Sequence, residues 1–244
     1  MSGAKQSEIV RVEDLGPMDY QEAWDLQESL LRVNVGLKLA AGRHANPHSI
    51  PTKHHLLLCE HPHVYTLGKS GKDTHLLIDQ EEREKKEISY YKINRGGDIT
   101  YHGPGQITGY PILDLEKFKP DLGWYLRSLE EVMIRLLNDY GLIGGRIPGA
   151  TGVWLDTDGP LPRKICAFGV RCSRWITMHG FAFNVNTHLD YFNHIIPCGI
   201  ADKGVSSLQR ELGRELDMAE VKTRLLAHFE QVFSCETQAA LSPV

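Results

Sequence analysis

Cys198 is the cysteine whose setting most favours covalent chemistry. It lies in the stretch IIPCGIADKGVSSLQ, where Pro197 and Gly199 indicate a turn and not the interior of a helix or strand. A turn of this kind can present a thiol to a cavity. Cys59, inside the apolar run LLLCE, has instead the setting of a small buried hydrophobe. Cys198 is therefore the candidate nucleophile.

Lys164 is the candidate group for activating that thiol. A cysteine with its ordinary pKa of about 8.5 is only a few per cent thiolate at neutral pH. A neighbouring ammonium lowers the pKa of a thiol, and Lys164 stands directly before the apolar run ICAFGV. A lysine in this position is more often a solvated strand end, and the sequence does not show that the two side chains meet.

The glycine-rich segment RGGDITYHGPGQ, residues 95–106, has three possible interpretations. It could be a plain double turn, because its glycines permit backbone shapes that other residues resist. It could cradle a nucleotide phosphate, but the following QITGYPILDL is not helical and no Walker Lys-Ser/Thr pair is present. The third interpretation is a backbone that lies flat against a linear ligand, with polar contacts from Arg95, Tyr101 and His102.

The elements that would position these residues alternate along the chain. Asp19 and Asp217, each followed three residues later by Glu, predict the starts of two helices. A third helix is predicted by the apolar stripe within residues 121–141, with Gly141 at its C-terminus. Strands are predicted at residues 54–60, 63–68, 88–94, 152–156, 164–171 and 176–186, the last two joined as a hairpin.

This order of elements predicts an α+β fold with a mostly antiparallel or mixed sheet, and not a regular parallel βαβ repeat. The charged run at residues 79–87 is expected to be a solvated loop or a helix end. The last ten or so residues are expected to be frayed. The first helix should run from about Asp19 to Lys38.

Composition narrows the function class. The chain of 244 residues carries a formal net charge of -4 and 41% hydrophobic residues, which argues against a nucleic-acid-binding protein and allows a sizeable core. No apolar run approaches the roughly 20 residues of a membrane span, and we see no signal or transit peptide. We therefore expect a cytoplasmic protein of one domain over residues 1–244, with a core of about 20–230.

The remaining cysteines and the histidines give weaker signals. The five cysteines form no CxxC pair and do not predict a disulfide framework. A zinc site with Cys166 and Cys172 lacks the short ligand spacing such sites favour. Irregular spacing and the lack of a carboxylate ladder likewise disfavour metal binding by the numerous histidines. His102 and His179 are expected either to line a pocket or to be hydrogen-bonded structural residues.

Four motifs in a fixed order resemble the lipoyl/octanoyl transferase family. They are RGGDITYHGPGQ, KICAFGVR, HGFAFNVN and PCGI, and the upstream segment EHPHVYTLGKSG is also similar to that family. The resemblance covers roughly residues 20 to 230. Each short motif is weak alone, whereas the ordered set is specific. Cys166 departs mildly from the family pattern, in which small apolar residues are usual at that position.

The resemblance implies a fold similar to the catalytic domains of biotin and lipoate protein ligases, with a mixed sheet and packed helices. It implies that Cys198 accepts the acyl group and that Lys164 activates it. The implied substrate-binding residues are Arg95, Gly96, Gly97, Asp98, Ile99, Thr100, Tyr101, His102, Ala167, Phe168, Gly169, Gly180, Phe181 and Ala182. Tyr101 and His102 are expected to face the thioester end of the substrate.

The implied activity is transfer of an octanoyl group from octanoyl-acyl carrier protein to a lysine of lipoyl domains in lipoate biosynthesis. The implied acceptors are lipoyl-domain proteins such as 2-oxoacid dehydrogenase E2 subunits and the glycine cleavage H protein. No cofactor, ATP or metal is expected, because the acyl group arrives activated. Alternatives are an ATP-dependent lipoate or biotin protein ligase of the same fold, a transferase between two lipoyl-domain proteins, and a non-catalytic acyl-carrier binding module.

Overall fold

The computed structural model describes residues 7–42, 44–196 and 203–240. Its five α-helices in this part of the chain are α1 (Tyr20–Ala41), α2 (Gln80–Lys85), α3 (Leu122–Asp139), α4 (Leu208–Leu212) and α5 (Met218–Phe233). Its strands are β1 (Glu8–Pro17), β2 (His54–Glu60), β3 (Val64–Leu67), β4 (Ser89–Lys92), β5 (Ile99–His102), β6 (Gln106–Ile112), β7 (Gly144–Ile147), β8 (Ala150–Leu155), β9 (Arg163–Ser173), β10 (Ile176–Asn184), β11 (Gly204–Val205) and β12 (Cys235–Ala239).

The strands form two sheets. The larger sheet has the order β12-β1-β2-β6-β10-β9-β8-β7, with β11 added beside β9. Strand β1 pairs in parallel with both of its neighbours, β11 is parallel to β9, and the other pairs of this sheet are antiparallel. The smaller sheet has the order β4-β3-β5. The predicted α+β fold with a mixed sheet is confirmed.

Helices cover the larger sheet on both faces. On one face, Leu129, Met133 and Leu136 of α3 are fully buried and belong to the same apolar cluster as Leu225 and Phe229 of α5. On the other face, Ala23 and Leu31 of α1 pack in a second cluster with residues of β2, β6 and β10. No helix in the described ranges is long and apolar enough to cross a membrane.

Local signals set the ends of the helices as predicted. The Asp19 carboxylate accepts a hydrogen bond of 2.7 Å from the Gln21 N–H, and Asp217 accepts one of 2.8 Å from the Ala219 N–H. These bonds satisfy N–H groups that have no partner inside the helix. Gly141 follows α3 with φ +72°, a left-handed conformation that glycine adopts without steric cost.

The predicted hairpin between β9 and β10 is confirmed. Arg174 and Trp175 form its turn with φ values of 50° and 66°, as the turn type that matches strand twist requires. The register places Gly180 opposite Gly169 and Ala182 opposite Ala167. The motif residues of the two strands therefore lie side by side at the centre of the sheet.

The two ends of the described chain differ from the sequence prediction. Residues 235–239, expected to be frayed, form β12, and residues 8–17, for which no strand was predicted, form β1. The two strands pair in parallel, with Glu8 opposite Cys235 and Val12 opposite Ala239. The prediction was wrong because β12 depends on a partner more than 200 residues away in the sequence, and β1 depends on both that strand and β2.

Candidate functional site

A cavity lies between the glycine-rich segment, β6 and the β9–β10 hairpin. Its volume is about 70 Å³. The described residues that line it include apolar residues of β9 and β10, namely Ala167, Phe168, Phe181 and Ala182. Polar residues also reach it, among them Arg95, His102, Gln106, Lys164, His179, Asn184 and Lys203.

Most of the residues predicted to bind substrate line this cavity. Arg95, Gly97, Asp98, Ile99, Thr100, His102, Ala167, Phe168, Gly169, Gly180, Phe181 and Ala182 all do so. Gly96 has a different contact, because its backbone N–H donates a 3.0 Å hydrogen bond to the Val170 carbonyl of β9. This bond ties the glycine-rich segment to the hairpin.

Tyr101 also does not line the cavity. Its side chain is fully buried in the cluster beneath the smaller sheet, and its ring stacks on Tyr191 with centroids 5.1 Å apart. Its hydroxyl lies 2.8 Å from His63 Nδ1. Alternate residues of a strand point to opposite faces, so Thr100 and His102 line the cavity while Tyr101 packs behind them.

Close packing of backbone segments explains why several positions in the motifs are occupied by glycine. A Cβ on Gly169 would lie 2.7 Å from Arg95 Cδ and 3.0 Å from the Gly96 carbonyl oxygen. A Cβ on Gly180 would collide with the Gly109 carbonyl oxygen of β6. Gly97 adopts φ +89°, a conformation that side chains resist. These glycines let the loop and strands approach one another, which shapes the cavity wall.

Arg95 supports the cavity from the smaller sheet. Its guanidinium donates hydrogen bonds of 2.8 and 3.0 Å to the backbone oxygen and hydroxyl of Thr66 on β3. Another bond of 3.0 Å goes to the Gly96 carbonyl. The side chain is only 7% exposed. Arg95 therefore fixes the loop to β3, in addition to lining the cavity.

Lys164 is the second residue of β9, five residues before Gly169. Its Nζ is 4.7 Å from the centroid of the Trp154 ring on β8, a favourable cation–π distance. Its backbone oxygen accepts a 2.9 Å hydrogen bond from the Ser206 N–H, just after β11. The Trp154 ring of β8 thus lies beside the predicted ammonium, and the Ser206 bond fixes the backbone of Lys164.

A chain of buried hydrogen bonds connects the glycine-rich segment to β11. Gln106 accepts from His102 Nδ1 at 2.8 Å and donates through Nε2 to Asn184 Oδ1 at 2.9 Å. Asn184 in turn donates to the Ser206 carbonyl at 3.0 Å. The sequence reasoning did not assign roles to Gln106, Asn184 or Trp154. Gln106 and Asn184 were visible as the last residue of one motif and an inner residue of another.

The two cavity histidines are neutral. Burial lowers the pKa of His179 to about 3, with Arg95 contributing, and its Nε2 lies 2.8 Å from Asn94 Oδ1. Burial also lowers the pKa of His102 well below its usual range. Both of the expected descriptions therefore apply, since each histidine lines the cavity and is hydrogen-bonded. Neither can serve as a cation near neutral pH.

Cys198 lies outside the described residues. The four cysteines that the structure describes, Cys59, Cys166, Cys172 and Cys235, are free thiols, and burial raises the pKa of each. Cys166, adjacent in sequence to the cavity residue Ala167, is fully buried. Within residues 7–42, 44–196 and 203–240, no cluster of three or more His, Cys, Asp or Glu side chains could hold a metal ion.

Residues 19–230 match the lipoyl protein ligase A/B catalytic domain. The chain belongs to this family. It is 56% identical over 228 residues to a protein of Christiangramia forsetii named Octanoyltransferase, a match that covers 93% of this chain and 97% of that protein. A similarly named protein of Flavobacterium johnsoniae is 55% identical over the same shares of the two chains.

Solved structures agree on the fold. A lipoate protein ligase from Thermoplasma acidophilum, part of an archaeal lipoylation system, superposes with a TM-score of 0.65 at 14% identity, covering 96% of this chain and 86% of that one. The biotin protein ligase of Aquifex aeolicus with biotin and ATP gives a TM-score of 0.51 at 14% identity, covering 92% and 70%. The predicted likeness to both ligase folds is confirmed.

Proposed function

We propose that this protein transfers an octanoyl group from an acyl carrier protein to a lysine of a lipoyl domain, through a thioester on Cys198. The similarity to curated octanoyltransferases over nearly the whole chain supports the reaction. The observation that carries the proposal for the site is the cavity that runs between the glycine-rich segment and Lys164. E2 subunits of 2-oxoacid dehydrogenases and the glycine cleavage H protein are the acceptors we propose, and the cytoplasm is the compartment.

The lining of the cavity suits a linear acyl chain. Lys164 and Gly169 are five residues apart on β9, which corresponds to roughly 17 Å of strand at about 3.4 Å per residue. Between them lie Ala167 and Phe168, with Phe181 and Ala182 on the neighbouring strand. The acyl chain would lie along these apolar residues, with its carbonyl at the Lys164 end.

Described residues on both sides of segment 197–202 support Cys198 as the acyl acceptor. Phe192, which precedes the segment, and Lys203, which follows it directly, both line the cavity. Lys203 is followed by β11, whose Val205 pairs with Lys164. Described residues on both sides of the segment therefore lie at the cavity that Lys164 lines.

The proposed transfer has two balanced steps. The Cys198 thiolate attacks the thioester carbonyl carbon, and the carbon–sulfur bond to the donor breaks; the departing thiolate takes a proton from the Lys164 ammonium. The amine of the acceptor lysine then attacks the Cys198 thioester, forming an amide and releasing the Cys198 thiolate. The proton lost by that amine returns to Lys164. Before the first step, the ammonium stabilises the thiolate and lowers its pKa.

Intact-protein mass spectrometry tests the intermediate. The enzyme is incubated with octanoyl-acyl carrier protein and no acceptor; a gain of one octanoyl group that hydroxylamine removes is expected. Cys198→Ala should abolish both this adduct and octanoyl transfer to a lipoyl domain. If Cys198→Ala still transfers the octanoyl group at the wild-type rate, the assignment of the nucleophile is wrong.

Two further measurements separate this proposal from its alternatives. An ATP-dependent ligase would acylate a lipoyl domain from free octanoate and ATP, so we expect no product from that mixture. A binding module would retain acyl carrier protein without turnover. For activation, the rate of thiol alkylation is followed against pH; Lys164→Ala should raise the pKa of Cys198, whereas the exposed Lys72→Ala should leave it unchanged.

A further inference from the structure

A second concave surface adjoins the acyl cavity at its Lys164 end. Its volume is about 560 Å³. Among the described residues it is lined by Leu161, Pro162, Arg163, Leu189, Asp190, Phe192, Asn193, Ile195, Ile196, Lys203, Gly204, Val205 and Arg210. We call this surface the outer groove. Phe192, Lys203, Gly204 and Val205 line both the groove and the cavity, so a molecule that enters the cavity can extend into the groove.

Among the described strands β11 pairs with β9 alone, so its other edge has no strand partner in that part of the chain. The N–H groups of Gly204 and Ser206 donate to the carbonyls of Pro162 and Lys164 on the β9 side, at 3.1 and 2.9 Å. In a strand, the peptide groups of the intervening residue point the other way. The N–H and C=O of Val205 therefore face away from β9, where an extended amide can pair with them as an added strand does.

The outer groove also carries a positively charged side chain that can bind an anionic group. The Arg163 guanidinium is occupied, because it makes two hydrogen bonds of 2.6 Å to the Glu211 carboxylate. Arg210, on α4, is exposed and forms no ion pair with any residue in the described part of the chain. The Asp190 carboxylate of the groove lies 3.8 Å from His188. Arg210 is thus the arginine of the groove that remains available to an incoming anionic group.

We propose that the outer groove binds the phosphopantetheine arm of the acyl donor. This inference rests on the proposed function. The arm carries the thioester at one end, amide groups along its length and a phosphodiester at the other end. With the thioester at the mouth of the cavity, the amides lie along the Val205 edge, apolar methyl groups contact residues such as Ile195 and Leu161, and the phosphate meets Arg210.

Direct binding tests the groove without depending on catalysis. Phosphopantetheine and pantetheine, neither of them acylated, are titrated into the full-length enzyme by NMR or calorimetry. We expect phosphopantetheine to bind more tightly than pantetheine, and Arg210→Ala to reduce that preference by roughly tenfold, the size of one lost charge-assisted hydrogen bond. Arg214→Ala, an exposed arginine close in sequence but outside the groove, should bind both compounds as wild type does. Equal binding of the two compounds, or no effect of Arg210→Ala, would overturn the proposal.

Kinetics distinguish the donor arm from the acceptor. Arg210→Ala should raise KM for octanoyl-phosphopantetheine and leave both KM for octanoyl-pantetheine and KM for the lipoyl domain unchanged. Leu161→Trp, which adds bulk at an exposed groove position, should raise KM for both donors. A rise in KM for the lipoyl domain alone would indicate that the groove binds the acceptor, and would contradict the proposal. If the wild-type enzyme transfers no octanoyl group at all, the proposed function fails, while the binding titration still decides the groove.

Discussion

The ammonium of Lys164 lies 4.7 Å from the centroid of the Trp154 ring, and the two residues are paired across β8 and β9. Trp154 is itself anchored, because its indole N–H donates a 3.1 Å hydrogen bond to the Ala150 carbonyl. A cation over an aromatic face gains about 0.5 to 2 kcal/mol. The ring therefore restricts a flexible side chain to the end of the cavity where the acyl transfer is proposed.

Replacing Trp154 tests that restriction. Trp154→Leu removes the aromatic face, so we expect kcat to fall roughly tenfold and the Cys198 thiol pKa to rise, because an ammonium that moves freely stabilises the thiolate less. Trp154→Phe keeps an aromatic face and should retain most of the activity. Both variants lose buried volume, so each is assayed well below its unfolding temperature, as measured by circular dichroism. Equal kcat values for the two variants would refute a role for the ring face.

Gly169→Ala should reduce activity by distorting the cavity wall. The added methyl would lie 2.7 Å from Arg95 Cδ, and Arg95 cannot move without losing its hydrogen bonds to Thr66. We expect KM for the octanoyl donor to rise by roughly tenfold or more, with a stability loss of about 1 to 3 kcal/mol from overpacking. Steady-state kinetics and urea unfolding measure the two effects.

Gly36→Ala is the matched control for that substitution. Gly36 lies in the exposed middle of α1, and a Cβ there has no neighbour within 4 Å. Because alanine is the better helix former, we expect this variant to be up to about 1 kcal/mol more stable, with unchanged kinetics. Unchanged kinetics in Gly169→Ala as well would show that the wall tolerates the methyl group.

The sequence predicted the parts of the site that depend on local pattern. The apolar runs that contain Phe168 and Phe181, separated in the sequence by the four residues CSRW, were sufficient to predict that β9 pairs with β10. The position of the Tyr101 side chain could not be predicted from local pattern. A strand predicts that neighbouring side chains face opposite ways, but only the packing of Tyr101 against Tyr191 shows which face is the cavity.

Contacts between distant segments account for the rest of what the sequence did not predict. Strand β12 is paired with β1, and no local feature of the run CETQA identifies that partner. Similarly, Asn184 and Ser206 meet only because β10 and β11 both flank β9. Periodicity describes one element at a time, whereas these contacts depend on the order of strands in the completed sheet.

Stability should fall as the pH drops below about 6.5. Burial lowers the pKa of His61 to about 4 and that of His179 to about 3, whereas an unfolded histidine titrates near 6.5. Between these values the unfolded chain binds more protons, so acid favours unfolding. Each histidine should cost about 1 kcal/mol at one pH unit below 6.5. Carboxylates with lowered pKa values, such as Glu211, lose their contribution only below their unfolded pKa, which lies in a more acidic range.

Urea unfolding at pH 7.5 and 5.5 measures this slope. His61→Leu should be less stable at pH 7.5, since it loses hydrogen bonds to the Met18 carbonyl and the Tyr110 hydroxyl, but it should show a shallower dependence on pH. The exposed His44→Gln should keep the wild-type slope. A wild-type protein equally stable at the two pH values would contradict the buried neutral state of these histidines.

Asn184→Ala should reduce kcat by more than its loss of stability explains. The amide of Asn184 joins the Gln106 side chain, at 2.9 Å, to the Ser206 carbonyl, at 3.0 Å, and Ser206 is bonded to the backbone of Lys164. Removing the amide leaves buried polar groups unpaired, at a cost of about 1 to 3 kcal/mol each, and releases β11 beside Lys164.

Thr187→Ala is the control variant. It loses one buried hydrogen bond, from its hydroxyl to the Gly105 carbonyl at 3.1 Å, at a position outside the cavity. Asn184→Ala should be the less stable variant, because it loses two hydrogen bonds and Thr187→Ala loses one. With both variants assayed while fully folded, we expect a kcat at least tenfold lower for Asn184→Ala. Equal kcat values for the two variants would mean that Asn184 only stabilises the fold and does not position Lys164.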